Sequence, residues 1–182
     1  MSLSAASLIS LVPLALEWHV AALQQVYWAT PGYWAMFNFA TVPPGQAEHD
    51  LRAVAETPGR TMLGIVRRTD SADSGELQAA GVELIGVLDF RLHWPTEQVV
   101  SIGMVMVAEP YQRQGIGAQA WALIKPWLVE QAGMQRARLA VEQFNPTALK
   151  FFESLGFALT GDSNRIKVGD KFVRLLSMEL TL

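Results

Sequence analysis

Met104-Val105-Met106-Val107-Ala108-Glu109-Pro110-Tyr111-Gln112-Arg113-Gln114-Gly115-Ile116-Gly117-Ala118 reads as a strand that ends, a short loop containing proline, and a glycine-bearing segment that opens a helix. The first N–H groups of a helix have no intrahelical acceptor and sit at the positive end of its dipole, so such a turn can hold a pyrophosphate. Gly115 and Gly117 let the backbone approach phosphate oxygens without a Cβ in the way, and Arg113 adds a positive charge. Gly115-x-Gly117-x-x-Ala120 formally fits a dinucleotide fingerprint, but that fold requires the glycines to follow their strand almost at once, in a parallel sheet. Here Pro110 intervenes. A P-loop would need Gly-Lys-Ser/Thr, which is absent.

Outward from this turn, the chain before it reads as helices followed by strands. Leu16, Val20, Leu23 and Tyr27 repeat at helical spacing over Leu14 to Trp28, and Pro31-Gly32 stops that helix. A second helical or irregular stretch holds Tyr33, Trp34, Phe37 and Phe39, so aromatic residues crowd from Tyr27 to Phe39, and Gln46 to Ala55 is a further helical pattern closed by Pro58-Gly59. Met62–Arg67, Val82–Leu92 and Gln98–Val107 then read as strands, the first two parted by the polar loop Asp70 to Gly75. Strands joined without a helix imply an antiparallel meander. After the turn the pattern alternates: helix Gly117–Ala132, which Pro126 in its interior should kink or end early, strand Arg136–Val141, helix Asn145–Leu155, strand Phe157–Thr160 and strand Phe172–Leu180. The crossovers require at least one parallel pair. Asn145-Pro146 is a helix start, with a preferred capping residue before a proline whose missing N–H is not needed.

The 182 residues are 51% apolar and 17% charged, enough for one globular domain with a complete core, read here as a single domain over 1–182. A net charge of −3 leaves no general nucleic-acid footprint, and no apolar run reaches the length of a membrane span. Leu3 to Leu16 is apolar but has no Lys or Arg ahead of it and contains Pro13, so Leu8–Val12 is read as a buried first strand rather than part of a signal peptide, and the protein as cytoplasmic. Zero cysteines exclude disulfides, thiolate metal sites and any covalent intermediate on a protein sulfur. His19, His49 and His93 lack ligand spacing, so no metal is expected.

Gln112-Arg113-Gln114-Gly115-Ile116-Gly117 also matches the phosphate signature Q/R-x-x-G-x-G/A, and with it the chain resembles the GNAT superfamily of N-acetyltransferases. Glu109 to Ala118, Leu139-Ala140-Val141 with Asn145-Pro146-Thr147-Ala148, and Phe151-Phe152-Glu153-Ser154-Leu155-Gly156-Phe157 follow in the family's order and spacing. The resemblance implies an α/β fold with a mixed, mainly antiparallel central sheet flanked by helices and a splayed cofactor cleft between two central strands. It implies acetyl-CoA as cosubstrate, with Gln112, Arg113, Gln114, Gly115, Ile116, Gly117 and Ala118 at the pyrophosphate, Met106 and Val107 along the pantetheine arm, and Asn145 and Phe152 facing it. The N–H of Val107 is the implied donor to the thioester carbonyl.

Without a cysteine, direct attack by a primary amine on the thioester in a ternary complex is the economical route. Many members carry a tyrosine at the place of Phe152 and some a carboxylate at the place of Ser101, and this chain has neither hydroxyl nor acid there. Glu142, beyond the strand Arg136–Val141, is the preferred base, with Asp89 second. Glu109 and Tyr111 read as loop structure, His93-Trp94 as turn packing, and the aromatic group Tyr27–Phe37 as core from which one or two rings would suit an amine by cation–π contact. The expected partners are acetyl-CoA and an amine acceptor, with no nucleic acid or membrane; a homodimer is compatible. A catalytically weak acyl-CoA-binding sensor is the alternative, and an NAD(P)-binding protein the third reading.

Overall fold

The computed structural model describes residues 9–37, 39–68, 81–168 and 171–182. The loop expected at Asp70 to Gly75 and the start of the apolar leader segment, including Leu8, lie outside the described residues. The elements are β1 (Ile9–Pro13), α1 (Leu16–Trp28), α2 (Pro31–Met36), α3 (Gln46–Glu56), β2 (Arg60–Arg68), β3 (Val82–Arg91), β4 (Val99–Val107), a 3-10 turn (Glu109–Tyr111), α4 (Ile116–Glu130), β5 (Arg136–Glu142), α5 (Pro146–Ser154), β6 (Ala158–Val168) and β7 (Lys171–Thr181). The strands form one seven-stranded sheet in the order β1-β2-β3-β4-β5-β7-β6. β1 pairs antiparallel with β2, and β7 antiparallel with both β5 and β6. β4 and β5 are the parallel pair that the strand–helix–strand succession requires. Their ladder joins Val99–Ser101 to Arg136–Arg138, although β4 runs on to Val107 and β5 to Glu142.

The chain divides into two compact units, one of Met1–Asp89 with Met104–Ile124, the other of Phe90–Gly103 with Lys125–Leu182. In the first, Leu23, Val26 and Tyr27 of α1 meet Ala47 and Leu51 of α3, Trp34 of α2, and Met62, Val87 and Met106 of the strands in one buried cluster. Leu23 and Tyr27 are thus the buried stripe that the helical spacing of α1 marks out. The second unit has its own core, including Val99, Val100, Leu128, Met134, Leu139, Val141, Phe157 and Met178.

Three boundaries differ from the sequence reading. Pro31 does more than follow α1: it is the first residue of the short helix α2, where its fixed φ suits the position. The helix through Pro126 continues to Glu130, so the proline is accommodated within α4. β6 is longer than the expected Phe157–Thr160. β7 pairs with it at Ala158 and Leu159 and again from Ser163 to Val168, and the register shift between Leu159 and Ser163 absorbs the residues between.

Candidate functional site

The turn after β4 lies in the first unit and is built by local bonds. Tyr111 N donates to Ala108 O at 2.8 Å and Gln112 N to Glu109 O at 3.2 Å, closing the 3-10 turn. The Gln112 side chain folds back, its Nε2 donating to Val107 O at 2.7 Å, and Gln114 Nε2 donates to Pro110 O at 3.0 Å. Two of the turn's glutamines therefore secure its own backbone. Arg113 (φ 63°) and Gly115 (φ 76°) both occupy the left-handed region, which reverses the chain into α4. Gln119 N donates to Gly115 O at 3.0 Å, so the N–H groups of Ile116, Gly117 and Ala118 precede the first intrahelical bond. They are the donors available to an anion. Gln112 to Gly115 are exposed and Ile116 is buried beneath them.

Two contacts hold this turn to the rest of its unit, and neither was visible in the sequence. Tyr111 Oη donates to Glu83 Oε1 at 2.7 Å, Arg67 Nε donates to Glu83 Oε2 at 2.9 Å, and the Arg67 guanidinium lies 4.2 Å from the centre of the Tyr111 ring. Burial first, then the hydrogen bond to Glu83, pushes the Tyr111 phenol above its ordinary value. The second contact is at Glu109. Its N–H donates to Ala29 O at 2.8 Å, and its Oε1 accepts from Gly32 N at 2.8 Å. Both residues that looked like loop structure are anchors, because the partners come from positions distant in sequence.

Met106 is buried, and Gly86 is the reason the end of β4 can lie where it does. A Cβ on Gly86 would stand 2.5 Å from Met106 O and 3.3 Å from the Cα of Val107. Close by along the chain, Ala108 N donates to Ile85 O at 2.9 Å.

Asp89 is buried with Arg60 bound to both carboxylate oxygens, so this carboxylate is an ion-pair partner rather than an open base. Tyr27 Oη donates to Asp50 Oδ2 at 2.8 Å, and Gln46 Nε2 donates to Asp50 Oδ1 at 2.9 Å. Burial, reinforced by Asp50, raises the Tyr27 phenol far above its ordinary value. Trp28, Pro31, Trp34, Ala40, Thr41 and Val42 line a pocket of about 130 Å³.

Glu142, Asn145 and Phe152 belong to the second unit. Glu142 is the last residue of β5, opposite Leu175 of β7, rather than beyond the strand. It is half-buried, and among the described residues its carboxylate has no hydrogen-bond or ion-pair partner. Asn145 caps α5, its Oδ1 accepting from Ala148 N at 3.1 Å. Phe152 packs edge-to-face with Phe151 and Phe157, at centroid distances of 5.0 and 5.7 Å. His93 pairs with Glu97 at 3.0 Å and Arg91 lies over the Trp94 ring at 4.4 Å, which makes this a turn closed by its own side chains. Among the described residues no cluster of His, Cys, Asp and Glu could hold a metal ion, and no helix is long and apolar enough to cross a membrane.

A family model described as the acetyltransferase (GNAT) family matches residues 44–157. No curated protein matches the chain. Among solved structures, an acetyltransferase from Thermus thermophilus is 22% identical, with a TM-score of 0.70 over 96% of this chain and 97% of that one. A probable acetyltransferase (GNAT family) from Chromobacterium violaceum is 17% identical, with a TM-score of 0.77 over 97% and 84%. A chimera of spermidine N-acetyltransferase from Vibrio cholerae and hSSAT is 13% identical, with a TM-score of 0.64 over 96% of each chain. At these identities the likeness to the solved structures is one of fold.

Proposed function

Because this chain belongs to the GNAT acetyltransferase family, whose members generally take their acetyl group from acetyl-CoA, we propose that it transfers that group to a primary amine by direct attack in a ternary complex. The observation that carries the reading is the turn within the matched segment: three N–H groups, of Ile116, Gly117 and Ala118, ahead of the first intrahelical bond, behind left-handed Arg113 and Gly115. This cradle fits a pyrophosphate, since it offers convergent backbone donors, a helix dipole and the Arg113 charge without a carboxylate among Gln112 to Ala118. When bound, acetyl-CoA supplies an acetyl group activated as a thioester.

The residues then divide the work. Gln112 secures Val107, whose N–H is assigned to the thioester carbonyl oxygen as charge develops there. A primary amine near pKa 10 must lose a proton before or during attack. Glu142 is assigned to receive it, directly or through water, because among the described residues its carboxylate has no hydrogen-bond or ion-pair partner. The nitrogen forms the new bond to the acetyl carbon, the carbon–sulfur bond breaks, and the departing thiolate takes a proton from solvent, since the Phe152 ring has none to give. Asn145 and Phe152 are assigned to the pantetheine arm, Asn145 while it also caps α5. The absence of a tyrosine hydroxyl at 152 and of a carboxylate at Ser101 favours a second reading, a catalytically weak acyl-CoA-binding module.

Free CoA followed with a thiol reagent separates the two, with no thiol background from the protein. Amine-dependent thiol release is the expected result. Acetyl-CoA binding without release across a panel of aliphatic and aromatic amines, from about pH 7 to pH 9, would establish the binding module instead.

A further inference from the structure

Glu109 joins two parts of the first unit that are far apart in sequence. Its backbone N–H is bonded to Ala29 O at the end of α1, and its side-chain Oε1 to Gly32 N at the start of α2, both at 2.8 Å. The side-chain bond is charge-assisted and lies at a helix start, where an anion is favoured. Gly32 is shaped for it, since a Cβ there would stand 2.9 Å from Glu109 Oε1. The residues just before these two contacts are Trp28 and Pro31, and both line the 130 Å³ pocket with Trp34, Ala40, Thr41 and Val42. On the other side, Glu109 is two residues beyond Val107, the donor assigned to the thioester. Backbone length alone puts the pocket wall on the order of 15 Å or less from that strand end.

The lining decides what the pocket can take. Among the described residues, two indoles, a proline ring, a valine and an alanine form its walls, Thr41 is the one hydroxyl side chain among them, and there is no carboxylate. A polyamine carries a second ammonium that wants an acid, and this lining provides none. An apolar cavity of about 150 Å³ accepts a benzene ring, so 130 Å³ suits a group of that size.

Resting on the acetyl-transfer reading, we propose that this pocket binds the apolar portion of the acceptor, a primary amine bearing a compact aromatic or branched aliphatic group, and that Glu109 is the positioning residue that fixes the pocket wall beside the donor site. The amine itself stays outside the pocket, free to reach the thioester.

The test compares 2-phenylethylamine with spermidine as acceptors and adds direct binding of 2-phenylethylamine, read by tryptophan fluorescence. Higher kcat/KM for 2-phenylethylamine is expected. Trp28→Ala, at an exposed wall, and Glu109→Ala should each raise the KM for that amine about tenfold, and Trp28→Ala should leave the KM for acetyl-CoA unchanged. Glu109→Gln, which keeps an oxygen acceptor, should restore the wild-type value. Gly32→Ala should mimic Glu109→Ala and add nothing on top of it, because both remove one contact. Preference for spermidine, an amine KM indifferent to Trp28 and Glu109, or a rise in the acetyl-CoA KM of Trp28→Ala instead, would overturn the proposal while leaving acetyl transfer intact. Binding of 2-phenylethylamine that depends on Trp28 and Glu109, with no thiol release from any amine, would uphold the pocket and refute the transfer reading.

Discussion

Arg60 holds Asp89 through both carboxylate oxygens, Nε lying 3.0 Å from Oδ1 and 3.2 Å from Oδ2 while Nη2 also donates to Oδ2. The Asp89 side chain is 4% exposed and that of Arg60 27% exposed, so the two ends of the pair differ in their access to water.

That asymmetry predicts unequal mutants. Arg60→Ala leaves a buried carboxylate without a counter-charge and should cost about 3–5 kcal/mol. Asp89→Asn keeps an oxygen acceptor and leaves the cation near water, so it should cost less. Urea denaturation of both variants measures the difference, and equal losses would contradict the burial asymmetry. Asp89→Asn should also leave the pH dependence of kcat/KM unchanged, as expected of a residue that takes no proton from substrate.

Tyr27 predicts an alkaline loss of stability. Its phenol is raised by burial and then by Asp50, so the folded chain keeps a proton that the unfolded chain releases above about pH 10. Below that pH both states hold the proton and the contribution is constant. Above it the unfolded state binds fewer protons, and stability falls as pH rises. Unfolding midpoints measured between about pH 9 and pH 11 should decline, and Tyr27→Phe should flatten the decline. In a spectroscopic titration, not all three tyrosines should ionise before the protein unfolds.

Gly86 and Gly32 should respond differently to the same substitution. Gly86→Ala drives a Cβ against the Met106 carbonyl, a backbone atom that can move only with the strand. A loss of about 1–3 kcal/mol is expected, together with weaker acetyl-CoA binding, because Met106 and Val107 shift. Gly32→Ala meets only the end of the Glu109 side chain, which can swing away. Thermal midpoints should therefore separate them, with Gly32→Ala close to the wild type.

The cradle itself yields a fourth test. Gly115→Ala places a Cβ on a residue at φ 76° and should cost about 1 kcal/mol from conformation alone. Gly117→Val adds bulk where the backbone would meet phosphate, and acetyl-CoA affinity should fall at least roughly tenfold, or about 1.4 kcal/mol. Calorimetric titration of each folded variant with acetyl-CoA decides it; an unchanged affinity for Gly117→Val would remove this turn from the cofactor site.

Local sequence carried much of this protein. The spacing of Leu16, Val20, Leu23 and Tyr27 marks α1, Asn145-Pro146 marks the capped start of α5, and Gln112 to Gly117 marks the turn, because each depends on bonds within a few residues. The parallel β4–β5 pair follows from the alternation of strands and helices, and the absence of cysteine by itself excludes an enzyme thioester. Tertiary structure alone decided the partners. Glu109 reads as a loop residue until α2 brings Gly32 to its carboxylate, Tyr111 until β2 and β3 bring Arg67 and Glu83, and Asp89 as a candidate base until Arg60 occupies it. The physical reason is common to all three. A side chain's acid, base or anchoring character depends on what it bonds to and how much water remains, and folding supplies both from positions that sequence spacing does not relate.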